Sequence, residues 1–346
     1  MSKKRLRREK AKLKSLKQKG AHETRKDAAE SEGIGGHDAG GGRSGQGFLK
    51  RIKSIYEKDY KALMFITIIL LLLAFLQIGY QWASTGDFIN KGVSLKGGVT
   101  ITIEGTGYDP VRIEDNLRKS FEEYDINVRE MTSAGVQSGI IVNAGATENE
   151  DIRRMTSFLE DDLGIGDGDY STEMIGSALG ESFFRETITA ILIAFVFMAL
   201  VVFLYFRIPI PSIAVILAAI SDIIITLAIV NLAGIKISTA GVAAFLMLVG
   251  YSVDTDILLS TRVLRRKEGT VMDGVYSAIN TGLTMSVTTI TAISVALIFA
   301  QSEVLKQIMM IVLIGLLVDI LTTWIQNAGI LRWYLEKRPE KGEIKS

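Results

Sequence analysis

Six long apolar runs set the first expectation for this chain. A helix needs roughly 20 apolar residues to cross a ~30 Å hydrocarbon core, and residues 62–80, 187–206, 212–233, 237–259, 282–300 and 304–330 each come close to or exceed that length. They fall as one helix, a long gap, then five. Within the gap, residues 81–186, the periods become shorter. Val99, Ile101 and Ile103 alternate with Thr100, Thr102 and Glu104, the period-two pattern of a half-buried strand. Asp109 and Pro110 mark a helix start, and Ile113, Leu117 and Phe121 then recur at helical spacing. Strands follow near residues 126–131 and 139–143. Thr147 and Glu150 have the spacing of a capping box ahead of Ile152, Met155, Leu159 and Leu163, and Gly164 is the stop. A last strand falls near residues 170–175. Strand, helix, strand, strand, helix, strand is the ferredoxin-like order. The expected fold is a membrane α-helical bundle of six transmembrane helices with an α+β ferredoxin-like extracytoplasmic domain at 81–186.

Charge divides the same way. Residues 81–186 hold 9 Lys and Arg against 20 Asp and Glu, and the rest of the chain holds 30 against 18. Short basic segments face the cytoplasm. The N-terminal tail, Arg207, the group Arg262, Arg265, Arg266 and Lys267, and the C-terminal Arg332, Lys337 and Arg338 all fall on one side of such a topology. The expectation is a multi-pass cell-membrane protein with both termini cytoplasmic. Residues 1–47, basic at 3–19 and glycine-rich at 33–47, read as a disordered cytoplasmic tail, and residues 331–346 as a C-terminal cytoplasmic tail. The basic part serves as an orientation signal, with attachment to anionic lipid or ribosomal RNA as the sharper alternative. The first span follows about sixty hydrophilic residues and is too long for a signal-peptide core, so it is expected to remain as an anchor. There is no cysteine, hence no disulfide.

Ionisable side chains inside a bilayer cost about 2.5–3.5 kcal/mol each on insertion scales, so those kept there are candidates for function. Asp222, Asp254, Asp256 and Asp319 qualify, and no Lys or Arg lies in the interior of any span, Lys306 standing at the edge of the sixth. The four acids therefore hold a proton, bind a cation, hydrogen-bond to hydroxyls, or meet a base from another subunit. Residues two apart on a helix point about 200° from each other. Asp256 shares a stripe with Ser252 and Ser260, whereas Asp254 shares one with Gly250 and Leu258. Span five offers Ser277, Thr281, Thr284, Thr288 and Thr291, either a polar face toward the acids that would suit a proton path or plain helix packing. Asp222 and Asp319 admit the same two readings, proton site or hydrogen-bonded strut. His22 and His37 lie in the tail, and no phosphate-cradling loop is present, so neither a metal nor a cofactor nor an enzyme is expected. Residues 92–98, GVSLKGG, read as a backbone turn into the domain.

Over residues of about 60 to 335 the chain resembles the SecD/SecF family of protein-export membrane proteins. The resemblance is carried by GVSLKGG at 92–98, IGSALGESF at 175–183, SDIIIT at 221–226 and, above all, GYSVDTDILLSTRVLR at 250–265. It implies an RND-like half bundle that pairs with a SecD-like six-helix homologue beside the protein-conducting channel. There it would assist a translocating polypeptide at the expense of the proton gradient. Membrane lipids would surround it and no nucleic acid is involved. Where the bacterial pattern has its span-four acid, this chain has Thr255, flanked by Asp254 and Asp256, and the span-five arginine of that pattern is Leu283. With the basic tail, these departures resemble the archaeal branch. A subunit of an RND-type small-molecule or lipid exporter is the alternative. An intramembrane aspartyl protease is opposed by Ser252 standing where its motif needs glycine, two before Asp254.

Overall fold

A computed structural model describes residues 56–133, 135–265, 270–300 and 302–337. The expected tail at 1–47 and the basic residues Arg266, Lys267 and Arg338 lie outside them.

Six helices are long and apolar enough to cross a membrane. They are α1 (Tyr60–Thr85), α5 (Ser177–Phe206), α6 (Pro209–Leu232), α7 (Thr239–Leu264), α8 (Val271–Phe299) and a sixth span, Val304–Glu336. The sixth consists of α9 (Glu303–Leu321), a π-helical segment (Thr322–Asn327) and α10 (Ala328–Glu336). Local chemistry sets their ends. Gly86, at φ 78°, closes α1 by returning its N–H to Trp82, and Pro209 and Pro211 occupy the first turn of α6 where no N–H is needed. Ser238 caps α7 through Gly241 N, and Thr270 with Asp273 forms a capping box on α8. Helix α5 begins ten residues before the expected span, because Gly176 is extended and nothing in SALGESF breaks the helix that follows. Helices α6, α7 and the sixth span are about half buried in the chain, whereas few residues of α1, α5 and α8 are fully buried.

Between α1 and α5 lies the α+β domain. Its elements are the one-turn α2 (Val93–Lys96), β1 (Gly98–Glu104), α3 (Pro110–Ser120), β2 (Ile126–Ser133), β3 (Val136–Ala144), α4 (Asn149–Leu163) and β4 (Tyr170–Ile175). The sheet order is β2-β3-β1-β4 with every neighbouring pair antiparallel, the ferredoxin-like topology. Val99, Ile101 and Ile103 pair with Ala144, Val142 and Ile140, and that face is buried under Ile113 and Leu117 of α3 and Met155 and Leu159 of α4. Asp109 caps α3 by accepting from Val111 N and Arg112 N, with Pro110 at its first position. Two local expectations are corrected. Thr147 and Glu150 form no capping box, because Glu148 occupies the N-cap position and makes no side-chain cap. GVSLKGG is not a simple turn: Val93–Lys96 closes one helical turn between Gly92 and Gly97.

The domain is fastened to one end of the bundle at several points. A Cβ on Gly97 would lie 2.5 Å from Ser177 Cα, and one on Gly180 2.6 Å from Gly97 N, so GVSLKGG and IGSALGESF meet backbone to backbone. Gly92 N donates to Ile237 O at 2.8 Å and Ile237 N to Asn90 O at 2.6 Å, tying the segment before α2 to the α6–α7 loop. Asn90 donates twice to Asn231, from its backbone N to Oδ1 and from Nδ2 to the carbonyl, each at 3.1 Å. Lys306 of α9 reaches Thr132 O, and Gln307 accepts from Ser238 Oγ and donates to Lys236 O. The sheet face opposite the core, with Thr100, Arg129, Ile141 and Asn143, lines a cleft of about 320 Å³ above this rim.

Lys236 Nζ also meets Asp125 Oδ2 at 3.0 Å. Burial opposes ionisation of Asp125. The hydrogen bond and charge of Lys236, aided by Lys96 and Arg118, outweigh it and hold the carboxyl below its ordinary 3.8. A group whose folded value is depressed contributes stability above the unfolded value and loses it as pH falls through the folded one. The clamp is therefore unchanged from pH 8 to 5 and opens only below about pH 4. Hydrogen exchange of residues 233–238 is expected to be flat over the neutral range after correction for intrinsic rates. Asp125→Asn should raise it at pH 7 severalfold at most, since a partly exposed pair is worth under about 1 kcal/mol.

Candidate functional site

Three of the four membrane carboxylates converge. Asp222 of α6, Asp256 of α7 and Asp319 of α9 are fully buried in the half-buried core of the bundle. Along α7, Ser252, Thr255 and Asp256 stand at i, i+3 and i+4 and so share the inward face. Ser252 Oγ donates to Asp222 Oδ2, while Thr322 Oγ1 donates to Asp222 Oδ1. One turn on, Thr255 Oγ1 lies 3.1 Å from Asp319 Oδ2 and 2.8 Å from Ser252 O. Thr323 Oγ1 stands 2.9 Å from Asp256 Oδ1 and 3.0 Å from Asp319 Oδ1. Asn327 Nδ2 donates to Asp256 Oδ1 at 2.7 Å, and Gln326 Nε2 to Ser221 Oγ at 2.9 Å. The contacts step away from the domain, from Asp222 at Ser252 to Asp256, about 6 Å farther along α7 at 1.5 Å per residue.

The π-helical turn makes this convergence possible. Its wider turn buries Thr322, Thr323, Gln326 and Asn327 together without interrupting the helix. Trp324, in the same segment, fits against α8 only because residue 282 is glycine: a Cβ there would lie 2.4 Å from the indole. Asp256 Oδ2, Ser260 Oγ and Asn327 Oδ1 are buried without a hydrogen-bond partner among the described residues. Among those residues the acids do not converge as metal ligands would, and no Lys or Arg is paired with them.

Asp254, two residues from Asp256, points the opposite way and is exposed on the bundle surface beside Gly250 and Tyr251. The span-five hydroxyls also face away from the cluster. Thr281, Thr284, Thr288 and Thr291 each donate to the carbonyl four residues back, at 3.3, 2.7, 2.7 and 2.7 Å, and none touches a carboxylate. Helix α8 turns its buried stripe Val275, Ala278, Gly282 and Ser286 inward, which leaves Ser277, Thr284, Thr288 and Thr291 exposed. Ser260 is buried one turn beyond Asp256 but contacts no acid. The residues that do bond the acids besides Ser252 are Thr255, Thr322, Thr323 and Asn327. The visible signal for most of them is TTWIQN, four polar residues in six within an apolar span.

Six membrane-crossing helices around a buried carboxyl–hydroxyl network, with an α+β domain at one end, define a multi-pass membrane protein. Residues 164–337 match the family described as protein export membrane protein SecD/SecF, C-terminal. The protein-export membrane protein SecF of Pyrococcus furiosus is 40% identical over 295 residues, covering 84% of this chain and 97% of that one. That of Methanocaldococcus jannaschii is 39% identical over 294 residues, 82% and 99% of the two chains. A crystal structure of SecDF, a translocon-associated membrane protein from Thermus, shares the fold with a TM-score of 0.62 at 23% identity, over 80% of this chain and 38% of that one. The chain thus spans 38% of the length of that SecDF chain. The chain belongs to the SecD/SecF family of protein-export membrane proteins.

Proposed function

We propose that this chain is the SecF half of a two-part assembly that pairs with a SecD-like six-helix partner and assists export of a translocating polypeptide beside the protein-conducting channel. It changes no covalent bond in its client. The gradient acts on Asp222, Asp256 and Asp319. The observation that carries this coupling is the burial of three carboxyls, bonded to hydroxyls and an amide, with no cation paired to them among the described residues. Taking an ionised carboxylate out of water costs several kcal/mol after relaxation, so such a cluster responds to proton supply. Arg207, Arg262, Arg265, Arg332 and Lys337 stand at the span ends away from the domain. This supports a cell-membrane orientation with both termini cytoplasmic and the domain outside. One proton crossing 100 mV is worth about 2.3 kcal/mol. That exceeds the worth of a partly exposed ion pair such as Lys236–Asp125, under about 1 kcal/mol.

The partner reading is supported by a polar face left uncovered in the single chain. Met247, Gly250, Tyr251 and Asp254 of α7 and Thr284, Thr288 and Thr291 of α8 are exposed at membrane depth. An acid there is costly against lipid, and the SecDF chains that share this fold are far longer than this one. Thr288→Trp is expected to remove most of the SecD-like partner that co-purifies from native membranes in mild detergent. Leu192→Trp, on the exposed apolar face of α5, should leave it unchanged. Mass spectrometry of the purified material reads both. Recovery of the wild-type chain only with copies of itself would overturn the pairing.

A further inference from the structure

Thr323 has one hydroxyl proton and two carboxyl neighbours. Its Oγ1 is 2.9 Å from Asp256 Oδ1 and 3.0 Å from Asp319 Oδ1, and all three side chains are buried. Were both acids ionised, the hydroxyl would donate to one and leave the other in repulsive lone-pair contact. Both contacts are hydrogen bonds only when one acid is protonated and donates to Oγ1 while the hydroxyl donates to the other. The π-helical turn fixes this arrangement, because it is the segment that carries Thr323 and Asn327 to Asp256 while Asp319 lies in the last turn of the preceding α-helix.

We propose that Thr323 is the relay through which a proton passes between Asp319 and Asp256, an assignment that rests on the proton-coupled reading above. In the transfer the Asp319 Oδ1–H bond breaks as its proton joins Thr323 Oγ1. The original Oγ1–H bond breaks as that proton joins Asp256 Oδ1. One proton has moved, Thr323 is regenerated, and the negative charge lies on Asp319 instead of Asp256. Asn327 Nδ2 stays bonded to Asp256 Oδ1 at 2.7 Å and holds it in line. Asp222 on α6 is the other titratable group facing this pair. From the remaining elements, α8 presents Val275, Ala278, Gly282 and Ser286, and α1 and α5 carry no charge within 62–85 or 187–206. The nearest cations along the chain among the described residues, Arg262, Lys306 and Arg332, are bonded to Ser277 Oγ, Thr132 O and Glu336 respectively.

The test is time-resolved infrared spectroscopy of the carboxyl band after a pH jump, on the full chain in lipid vesicles, with Asp256→Asn and Asp319→Asn assigning the signals. Thr323→Val removes the hydroxyl at nearly constant shape and is expected to slow proton exchange between the two acids about tenfold or more. Thr323→Ser is expected to restore the wild-type rate, and Thr323→Cys, which keeps a weaker donor, to lie between and to serve if the valine variant does not fold. Wild-type exchange in Thr323→Val, or equal slowing in the serine and valine variants, would overturn the relay while leaving the acids as proton sites. A wild-type carboxyl band that does not respond to pH would instead sink the proton reading itself, and the relay with it.

Discussion

Gly98→Ala is expected to lower the melting temperature of the α+β domain by more than about 10 °C in the detergent-solubilised full chain. Gly98 opens β1 at φ 136°, a region that residues with a side chain rarely enter, and a Cβ there would lie 2.3 Å from Ala144 O. The neighbour is backbone in the adjoining strand β3, so relief requires breaking the pairing of β1 with β3 near Val99 and Ala144. Backbone strain of this type costs about 1–3 kcal/mol, and a lost ladder bond adds about 1 kcal/mol. For a domain of this size each kcal/mol moves the midpoint by about 4–8 °C. Gly97→Ala should be comparably harmful, since its φ is 88° and the new methyl would meet Ser177 backbone at 2.5 Å. The control is Gly166→Ala, where φ is not positive and the nearest atom to the new methyl would be an Asp169 carboxylate oxygen at 3.6 Å, an ordinary contact. A shift in the control as large as that of Gly98→Ala would mean that glycine content, rather than these two positions, sets the stability.

What was legible in the sequence follows from which physical rule each feature obeys. The spans were readable because the thickness of hydrocarbon sets a minimum apolar length, and β1 because alternation of Val99, Ile101 and Ile103 with threonines has only one regular explanation. The separation of Asp254 from Asp256 was readable too, since a helix of 3.6 residues per turn forces two residues apart onto opposite sides. The π-helical turn was not. Its signature is a register change, and apolar periodicity in a span that is apolar on most sides carries no register. Screening spans for ionisable groups therefore found Asp319 and passed over Thr322, Thr323, Gln326 and Asn327. The threonines of α8 misled for a different reason. A hydroxyl that bonds its own helix four residues back is satisfied on any face, so a threonine stripe does not say which neighbour it faces. The small residues Ala278 and Gly282 on the other side of α8 are what allow close approach to α7 and Trp324.

Asp256→Asn is expected to abolish the dependence of reporter export on the transmembrane proton gradient, with export falling to its gradient-free rate. The amide is nearly isosteric and retains an oxygen to accept from Thr323 and Asn327, so the packing of α7 against α9 and the π-helical segment survives. On the proposed coupling, what it removes is the ability to take up and release a proton at the position of the ladder farthest from the domain, where Asp256 follows Asp222 and Asp319. Asp254→Asn makes the same chemical change one residue before Thr255, on the exposed face of α7, and leaves all of the cluster's hydrogen bonds in place. The expected outcome for Asp254→Asn is retained gradient dependence, with any loss appearing as weaker recovery of the SecD-like partner. Comparing reporter export with the gradient intact and collapsed, in cells carrying each variant at matched membrane levels, separates the two acids. The opposite pattern, full gradient stimulation in Asp256→Asn and none in Asp254→Asn, would move the coupling to the α7–α8 face and make the buried network a structural strut. Loss in both would place a proton step on each side of α7, with Thr255 between them bonded to Asp319 at 3.1 Å.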